Sequence, residues 1–581
     1  MPDAGAWFIE ISVICDGAGR LNRGVDAALI ALLRSDLLAA RYTVDWLRQL
    51  WGDEADAALG RGDRLPALRA LTAHGSRATD PAGILARLFM LDELVADDLL
   101  TLAMPTLGAT GARALALLDD QGRALLDLRP YSVIDAGGAV QWFIASDLGE
   151  GALGYALPPD HVLGVGGASL TLAALIPTEP VDSVLDLGTG CGIQSLHVAR
   201  HARRVVATDI SERAIDRARL TLTLNGVQSV ELRRGDLFAP VAGELFDRIV
   251  SNPPFVITPR REGVPLYEYR DGGLVGDAIV ERVVRGAAKH LQPGGTAHLL
   301  GNWEYRDAAP TDDHSDGDGA DRGDGLARVR CWIDEAGLDG WVVERERQSP
   351  AEYAAMWIRD GGTLVGTPEY ETLAADWLDD FVARGVTAVG FGYILLRRPV
   401  LRNASAVSTS AESASAVSSS AVSSSAVDAV RLLRTERLTA PFGSSASAGA
   451  HTGIGDHLLA GLRAHDRVAG LGDSALGALR LVVAPDVTEE RHYWPGDENP
   501  TVIRLRQGGG FARTVDADAA LAGFVGASDG ELTVAEIVGA LADLLEVDEG
   551  ALLDDLVPRV RELLVTGMLT ISAADGSSRE R

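Results

Sequence analysis

The chain has 581 residues, more than one hydrophobic core organises, so three or four domains are expected. Hydrophobic residues make up 47%, enough for globular domains, and no stretch approaches the roughly 20 continuous apolar residues of a membrane-crossing helix. The net charge of −29 argues against a protein that wraps nucleic acid over its whole surface, which needs a basic footprint.

Charge is uneven. Residues 151–302 carry 15 Arg and Lys against 16 Asp and Glu, and the acidic excess lies elsewhere, as in "DDHSDGDGADRGD" at 312–324, a pattern expected of a solvated loop. Lys289 is the only lysine. Cys15, Cys191 and Cys331 are too scattered for a paired-cysteine zinc site, so no metal is expected. Free cysteines suit a reducing cytoplasm, and no membrane association is expected.

In chain order, "AWFIEISVIC" near the start is short, contains Glu10 and lacks a basic leader, so it does not read as a signal peptide. Residues 22–150 begin with apolar residues at helical spacing, in "GVDAALIALLRSDLLAARYTVDWLRQLW" and "DPAGILARLFMLDELVADDLLTLA". Two extended stretches follow, "RALLDLRPYSVI" and "VQWFIASDL". A mainly helical accessory domain fits this order, either as a winged helix or as a plain helical cap.

From 151 to 400 short β-like runs alternate with helical ones, the signature of a doubly wound parallel α/β sheet. Seven strands are expected, at "SVLDLG", "RVVATDI", "SVELRRGD", "FDRIVSN", "TAHLLGNW", "WVVERER" and "AVGFGYILLRR", with an acidic insertion at about 306–327 after the fifth. Residues 401–428 repeat Ser, Ala and Val and read as a flexible linker. Residues 429–575 read as a small independent domain of winged-helix character. There Thr533 and Glu536 form a capping box at the start of one helix, and Pro558 falls inside a second.

The chemistry gathers at the ends of the expected strands. The first runs into "LDLGTGCGI", with Asp186, Gly188, Thr189, Gly190, Cys191 and Gly192. Alternating glycines let backbone approach a ligand and turn at once into a helix. A dinucleotide site wants G-x-G-x-x-G; here the third glycine comes one residue early, which favours S-adenosylmethionine over NAD. The second strand ends at Asp209, followed by Ile210; a carboxylate there can accept both hydrogen bonds of a ribose diol. The third ends at Asp236, which can accept from an adenine amine, with Leu237 and Phe238 offering an apolar wall.

The fourth strand delivers Asn252, Pro253, Pro254 and Phe255. Proline lacks an N–H and is excluded from central strands, so the strand must end at Asn252 in a rigid turn that adds no competing donor.

"VLDLGTGCG", "ATDIS", "GDLF" and "SNPPF", with the later "DGGLVGDAIVERVVRGAAKHLQPGG", resemble the successive motifs of class I S-adenosylmethionine-dependent methyltransferases. The likeness is to the HemK-type glutamine methyltransferases and the related small-domain RNA methyltransferases, over roughly 160–400. It implies a Rossmann-like sheet, S-adenosylmethionine as methyl donor, and N-methylation of a planar amide or amine at Asn252–Phe255, where the Asn252 oxygen and the Pro253 carbonyl would each accept one N–H and Phe255 would supply a flat face for stacking. Phe255 stands where tyrosine is commoner, and "HVLGVGGASL" (161–170) departs from the substrate-side loop of HemK-type enzymes.

Two substrates stay open: a protein glutamine such as that of a translation release factor, which is preferred, or a base amine in RNA or DNA. A non-catalytic binding protein on the same fold is a third reading. Arg260, Arg261 and Arg270 are the candidates for a basic rim after the turn.

Overall fold

The computed structural model describes residues 23–72, 77–135, 138–149, 157–261, 264, 268–307, 323–400, 431–438 and 453–572. The acidic stretch 308–322, the Ser/Ala/Val tract and the N-terminal "AWFIEISVIC" lie outside them.

Among the described residues, seven helices between Arg23 and Ala114 precede a hairpin of β1 (Asp127–Asp135) and β2 (Gly138–Ser146). The helices bury Leu33, Leu37, Leu85 and Phe89 completely. The hairpin meets the next region through side chains that act as a strand partner. Asn225 accepts from Phe143 N at 2.9 Å and donates to its carbonyl at 2.8 Å, and Thr221 Oγ1 accepts from Ala145 N at 3.1 Å. On the same face Tyr131 and Trp142 stack 5.8 Å apart.

The central sheet contains β3 (Val181–Leu187), β4 (Ala202–Asp209), β5 (Val230–Arg234), β6 (Phe246–Ser251), β7 (Leu291–Arg306), β8 (Asp339–Gln348) and β9 (Val386–Arg397). All seven expected strands are present. An eighth, β10 (Leu433–Arg437), joins them from beyond the Ser/Ala/Val tract, giving the order β10-β8-β9-β7-β6-β3-β4-β5. β9 runs antiparallel to both of its neighbours, and every other pairing is parallel. The inner strands are buried along their length: Ile249 and Val250 of β6 and Leu299 and Leu300 of β7 are at most 1% exposed, with Arg248, His298 and Asn302 buried beside them.

The region after the tract forms a sheet of β11 (Arg480–Val483), β15 (Asp529–Thr533) and β16 (Leu569–Ile571), and a meander of β12 (Val487–His492), β13 (Val502–Gln507) and β14 (Thr514–Ala517). Helices Ala519–Gly526, Val534–Leu545 and Glu549–Val565 alternate with β15 and β16 in winged-helix order, and the third strand comes from upstream. The Thr533–Glu536 capping box is formed in both directions, at 2.8 and 3.3 Å.

This region shares one continuous core with the sheet. The helix Ile454–Val468 lies so close to Gly167–Leu175 that a Cβ on Gly455 would stand 2.3 Å from the Leu175 carbonyl. Only glycine permits that approach. Thr178 donates to Asp456 through its N–H and its hydroxyl, both at 2.9 Å, and Arg397 holds Asp466 with two bonds at 2.6 and 2.7 Å.

Glu344 on β8 is buried and accepts from Trp303 Nε1 at 2.9 Å, from the Tyr305 hydroxyl, and from Arg437 Nε on β10 at 3.0 Å. A buried carboxylate is costly without its cation. Arg437→Met should lower unfolding stability by about 1–3 kcal/mol in denaturant titration. Protease nicking within 403–427 should leave two pieces that still co-elute in size-exclusion chromatography, because the core on both sides is shared.

Candidate active site

The strand ends converge because the parallel registers align them. Leu187 pairs with both Thr208 and Ser251, and Ser251 pairs with Leu299, so Gly188, Asp209 and Asn252 emerge together at one edge. Open α/β sheets bind ligands at that edge.

Gly188, Gly190 and Gly192 all have positive φ, at 78°, 55° and 86°. At Gly192 a Cβ would also sit 3.2 Å from Ala218 Cα of the neighbouring helix, so both backbone and packing require glycine. The spaces beside Gly188 and Gly190 are open, as close approach of a ligand demands. Asp186 points inward. Its carboxylate accepts from Thr189 Oγ1 at 2.7 Å and Ser195 Oγ at 2.6 Å, and burial pushes its pKa up to about 6. It ties the glycine loop to the helix Ile193–Val198 from behind. Cys191 is buried and its thiol is pushed up to about 11 by burial, so it is neutral and unreactive near neutral pH.

Asp209 is clamped at the end of β4: Gly190 N donates to one carboxylate oxygen at 3.0 Å and Ser211 N to the other at 2.9 Å. Ile210 beside it is 52% exposed, an apolar face at the mouth of the loop. Asp236 lies at the surface in an ion pair with Arg282 at 2.9 Å. Leu237 takes φ 44°, and this left-handed residue turns the chain after β5. Phe238 does not form the apolar wall expected of it. Its ring is buried against His290, stacked at 4.5 Å and 15°, because the turn at Leu237 points it into the core.

The loop open beside its glycines, the exposed Ile210 and the carboxylate of Asp209 suit an adenosyl ligand. Gly188, Gly190, Asp209 and Ile210 would hold it.

Asn252 stands at the end of β6, and its buried Oδ1 has no hydrogen-bond partner among the described residues. Buried polar atoms are rarely left so, and such an exception calls for an explanation. Phe255 is buried beside Phe391, with ring centroids 5.6 Å apart. Both rings line a cavity of about 180 Å³ completed by Asn302, Tyr353, Trp357 and Glu346.

No sequence reading singled out those four. Tyr353 and Trp357 carry one faint signal, aromatic spacing of i and i+4 on the helix Pro350–Asp360. The three candidates for a basic rim are engaged within the fold. Arg260 is spent on Asp271 and the Leu274 carbonyl, Arg261 reaches Asp376 and Asp379, and Arg270 is buried and donates to the Trp357 carbonyl.

Residues 164–306 match the Methyltransferase small domain family, and residues 39–128 match a domain of unknown function, DUF7059. Residues 164–306 are a class I methyltransferase domain of that group. Ribosomal RNA small subunit methyltransferase C of Shigella flexneri is 35% identical over 138 residues, which is 23% of this chain and 35% of that protein. Its Escherichia coli K12 counterpart is 34% identical over the same length, with the same shares. The chain thus spans about a third of the length of the curated relatives it matches. A T. thermophilus 16S rRNA methyltransferase solved in complex with AdoMet and guanosine is 26% identical, over 30% of this chain and 42% of that one, with a TM-score of 0.23. The methyl donor of the methyltransferase domain is S-adenosylmethionine.

Asp209→Ala removes the carboxylate that holds the Gly190 and Ser211 N–H groups, through charge-assisted hydrogen bonds worth roughly 1.5–3 kcal/mol each. Calorimetry should find S-adenosylmethionine affinity lowered by about 10- to 100-fold in the folded variant.

Proposed function

We propose that the protein transfers a methyl group from S-adenosylmethionine to the exocyclic amine of a base in ribosomal RNA, and so acts in the cytoplasm. The observation that carries this is the buried, unpartnered Oδ1 of Asn252 at the end of β6, in the same turn as Phe255, whose ring lines an aromatic cavity. The curated relatives named for small-subunit ribosomal RNA support RNA over a protein glutamine. The cavity supports it too. Phe255, Tyr353, Trp357 and Phe391 surround a volume suited to a flat aromatic ring, whereas a glutamine side chain needs one stacking face at most. Its polar atoms are mostly acceptors, which favours guanine, the base with an N–H next to its amine.

An exocyclic amine is a poor nucleophile because its lone pair is delocalised into the ring. S-adenosylmethionine supplies an electrophilic methyl on a sulfonium. Asn252 Oδ1 and the Pro253 carbonyl accept the two amine hydrogens, which aims the lone pair at that methyl and stabilises the positive charge developing on nitrogen. The two prolines keep competing N–H donors out of the turn. Phe255 fixes the plane of the ring by packing against it. The methylated nitrogen then loses a proton readily, so no strong base is needed.

Labelled methyl groups from S-adenosylmethionine should travel with RNA, be released by nuclease and survive protease. Release by protease alone would restore the glutamine reading. Asn252→Ala should bind S-adenosylmethionine almost as the parent does while turnover falls by about 10²–10³-fold, the usual effect of deleting one transition-state hydrogen bond. Parent-like turnover in that variant would remove the role given to this turn.

A further inference from the structure

The cavity beside Phe255 contains polar groups that the transfer step does not use. Asn302 on β7 is 1% exposed. Its Nδ2 donates to the Tyr353 hydroxyl at 2.6 Å, and the same hydroxyl accepts from Ile257 N at 3.0 Å. That pair of bonds fixes the amide. The Asn302 Oδ1 is left buried on the cavity wall with no partner among the described residues.

Opposite in character, Glu346 is exposed at the rim, and Gln348 Nε2 donates to its Oε1 at 2.6 Å. The Gln348 Oε1 is itself a buried acceptor without a partner, and Trp357 Nε1 is the one buried donor on the wall in the same condition.

The registers set the spacing. Ser251 pairs with Leu299, so Asn252 is one residue past the last paired position on β6 and Asn302 is three past it on β7. With adjacent strands about 4.8 Å apart and a rise of about 3.3 Å per residue, the two backbones are separated by on the order of 8 Å. One planar base can reach both side chains across that distance.

We propose that Asn302 and Glu346 form an acceptor wall that selects the base, a reading that rests on the nucleobase methyltransferase function above. Asn302 Oδ1 accepts from the ring N–H beside the reacting amine. Glu346 faces the same edge with a carboxylate. Guanine's ring N–H satisfies Asn302, and the exposed Glu346 carboxylate adds negative charge that favours a base edge carrying donors over one carrying lone pairs. Adenine and cytosine place a ring lone pair next to theirs, so each would set that lone pair against the buried Asn302 Oδ1, and such a mismatch is a strong basis for rejection. Trp357 Nε1 supplies the single donor that guanine's carbonyl oxygen calls for. Tyr353 orients the Asn302 amide through its hydroxyl, while its ring forms part of the cavity wall.

The test measures methylation of ribosomal RNA from cells lacking the protein, with free guanosine and adenosine as competitors. Asn302→Leu should raise KM for RNA by about 10- to 100-fold with S-adenosylmethionine affinity unchanged, because a buried acceptor contact is lost. Glu346→Gln, at an exposed position that does not threaten folding, should narrow the preference for guanosine over adenosine about tenfold or more. Tyr353→Phe should show a smaller rise in KM than Asn302→Leu, since the acceptor survives with less restraint. Parent-like KM and competitor preference in Asn302→Leu and Glu346→Gln, with RNA still labelled and Asn252→Ala still impaired, would overturn the acceptor wall alone. A parent protein that labels no RNA would instead overturn the function on which it rests.

Discussion

The alignment of β6, β3 and β4 is the constraint on which the site depends. Ser251, Leu187 and Thr208 lie side by side, so the asparagine–proline turn, the glycine loop and the Asp209 carboxylate leave the sheet at one level. A slip of one residue in any of these strands would turn its side chains to the opposite face and carry its terminal residue out of the site. The apolar residues of β6 hold the register: Ile249 and Val250 are completely buried. Asp186 adds a polar lock behind the loop, through two hydroxyl donors within 2.7 Å.

Around that edge the two halves of the sheet divide the work. On the β3 and β4 side the glycine loop has open backbone beside the Asp209 carboxylate. On the β7, β9 and β8 side aromatic rings and acceptors, Phe255 among them, line a cavity. The aromatic half depends on chain that is distant in sequence. Tyr353 reaches back across 96 residues to Ile257, and Trp303 in the sheet interior donates to Glu344, whose cation comes from Arg437 past residue 430. The region after the tract therefore supports the substrate half of the fold directly, by neutralising a charge buried among its strands.

The same region is a poor candidate for docking RNA through its third helix. Glu549–Val565 buries one side against the helix Ile454–Val468, and its exposed positions include Glu549, Asp554, Asp555 and Glu562. A face of that charge repels a phosphate backbone. Arg260, Arg261 and Arg270, the arginines that follow the Asn252–Phe255 turn, are committed to carboxylates and carbonyls in the same way.

The sequence by itself determined where the seven strands lie along the chain, the glycine loop after β3 and the turn at Asn252. These are local matters: alternating glycines, a carboxylate at a strand end and two consecutive prolines each restrict the backbone wherever the chain goes next. What only the tertiary structure decided was direction and partnership. Phe238 faces the core because Leu237 adopts a left-handed conformation, which no apolar pattern encodes. Arg260, Arg261 and Arg270 lose their role as a rim because acids and carbonyls from other segments reach them first. The eighth strand, Leu433–Arg437, lies past a tract of no structural pattern and is too short to announce itself, and it is recruited by pairing with β8 and by the charge of Glu344. Asn302 reads in sequence as one polar residue inside an apolar strand. Its significance comes from Tyr353, 51 residues away, which takes its amide nitrogen and leaves its oxygen facing a cavity.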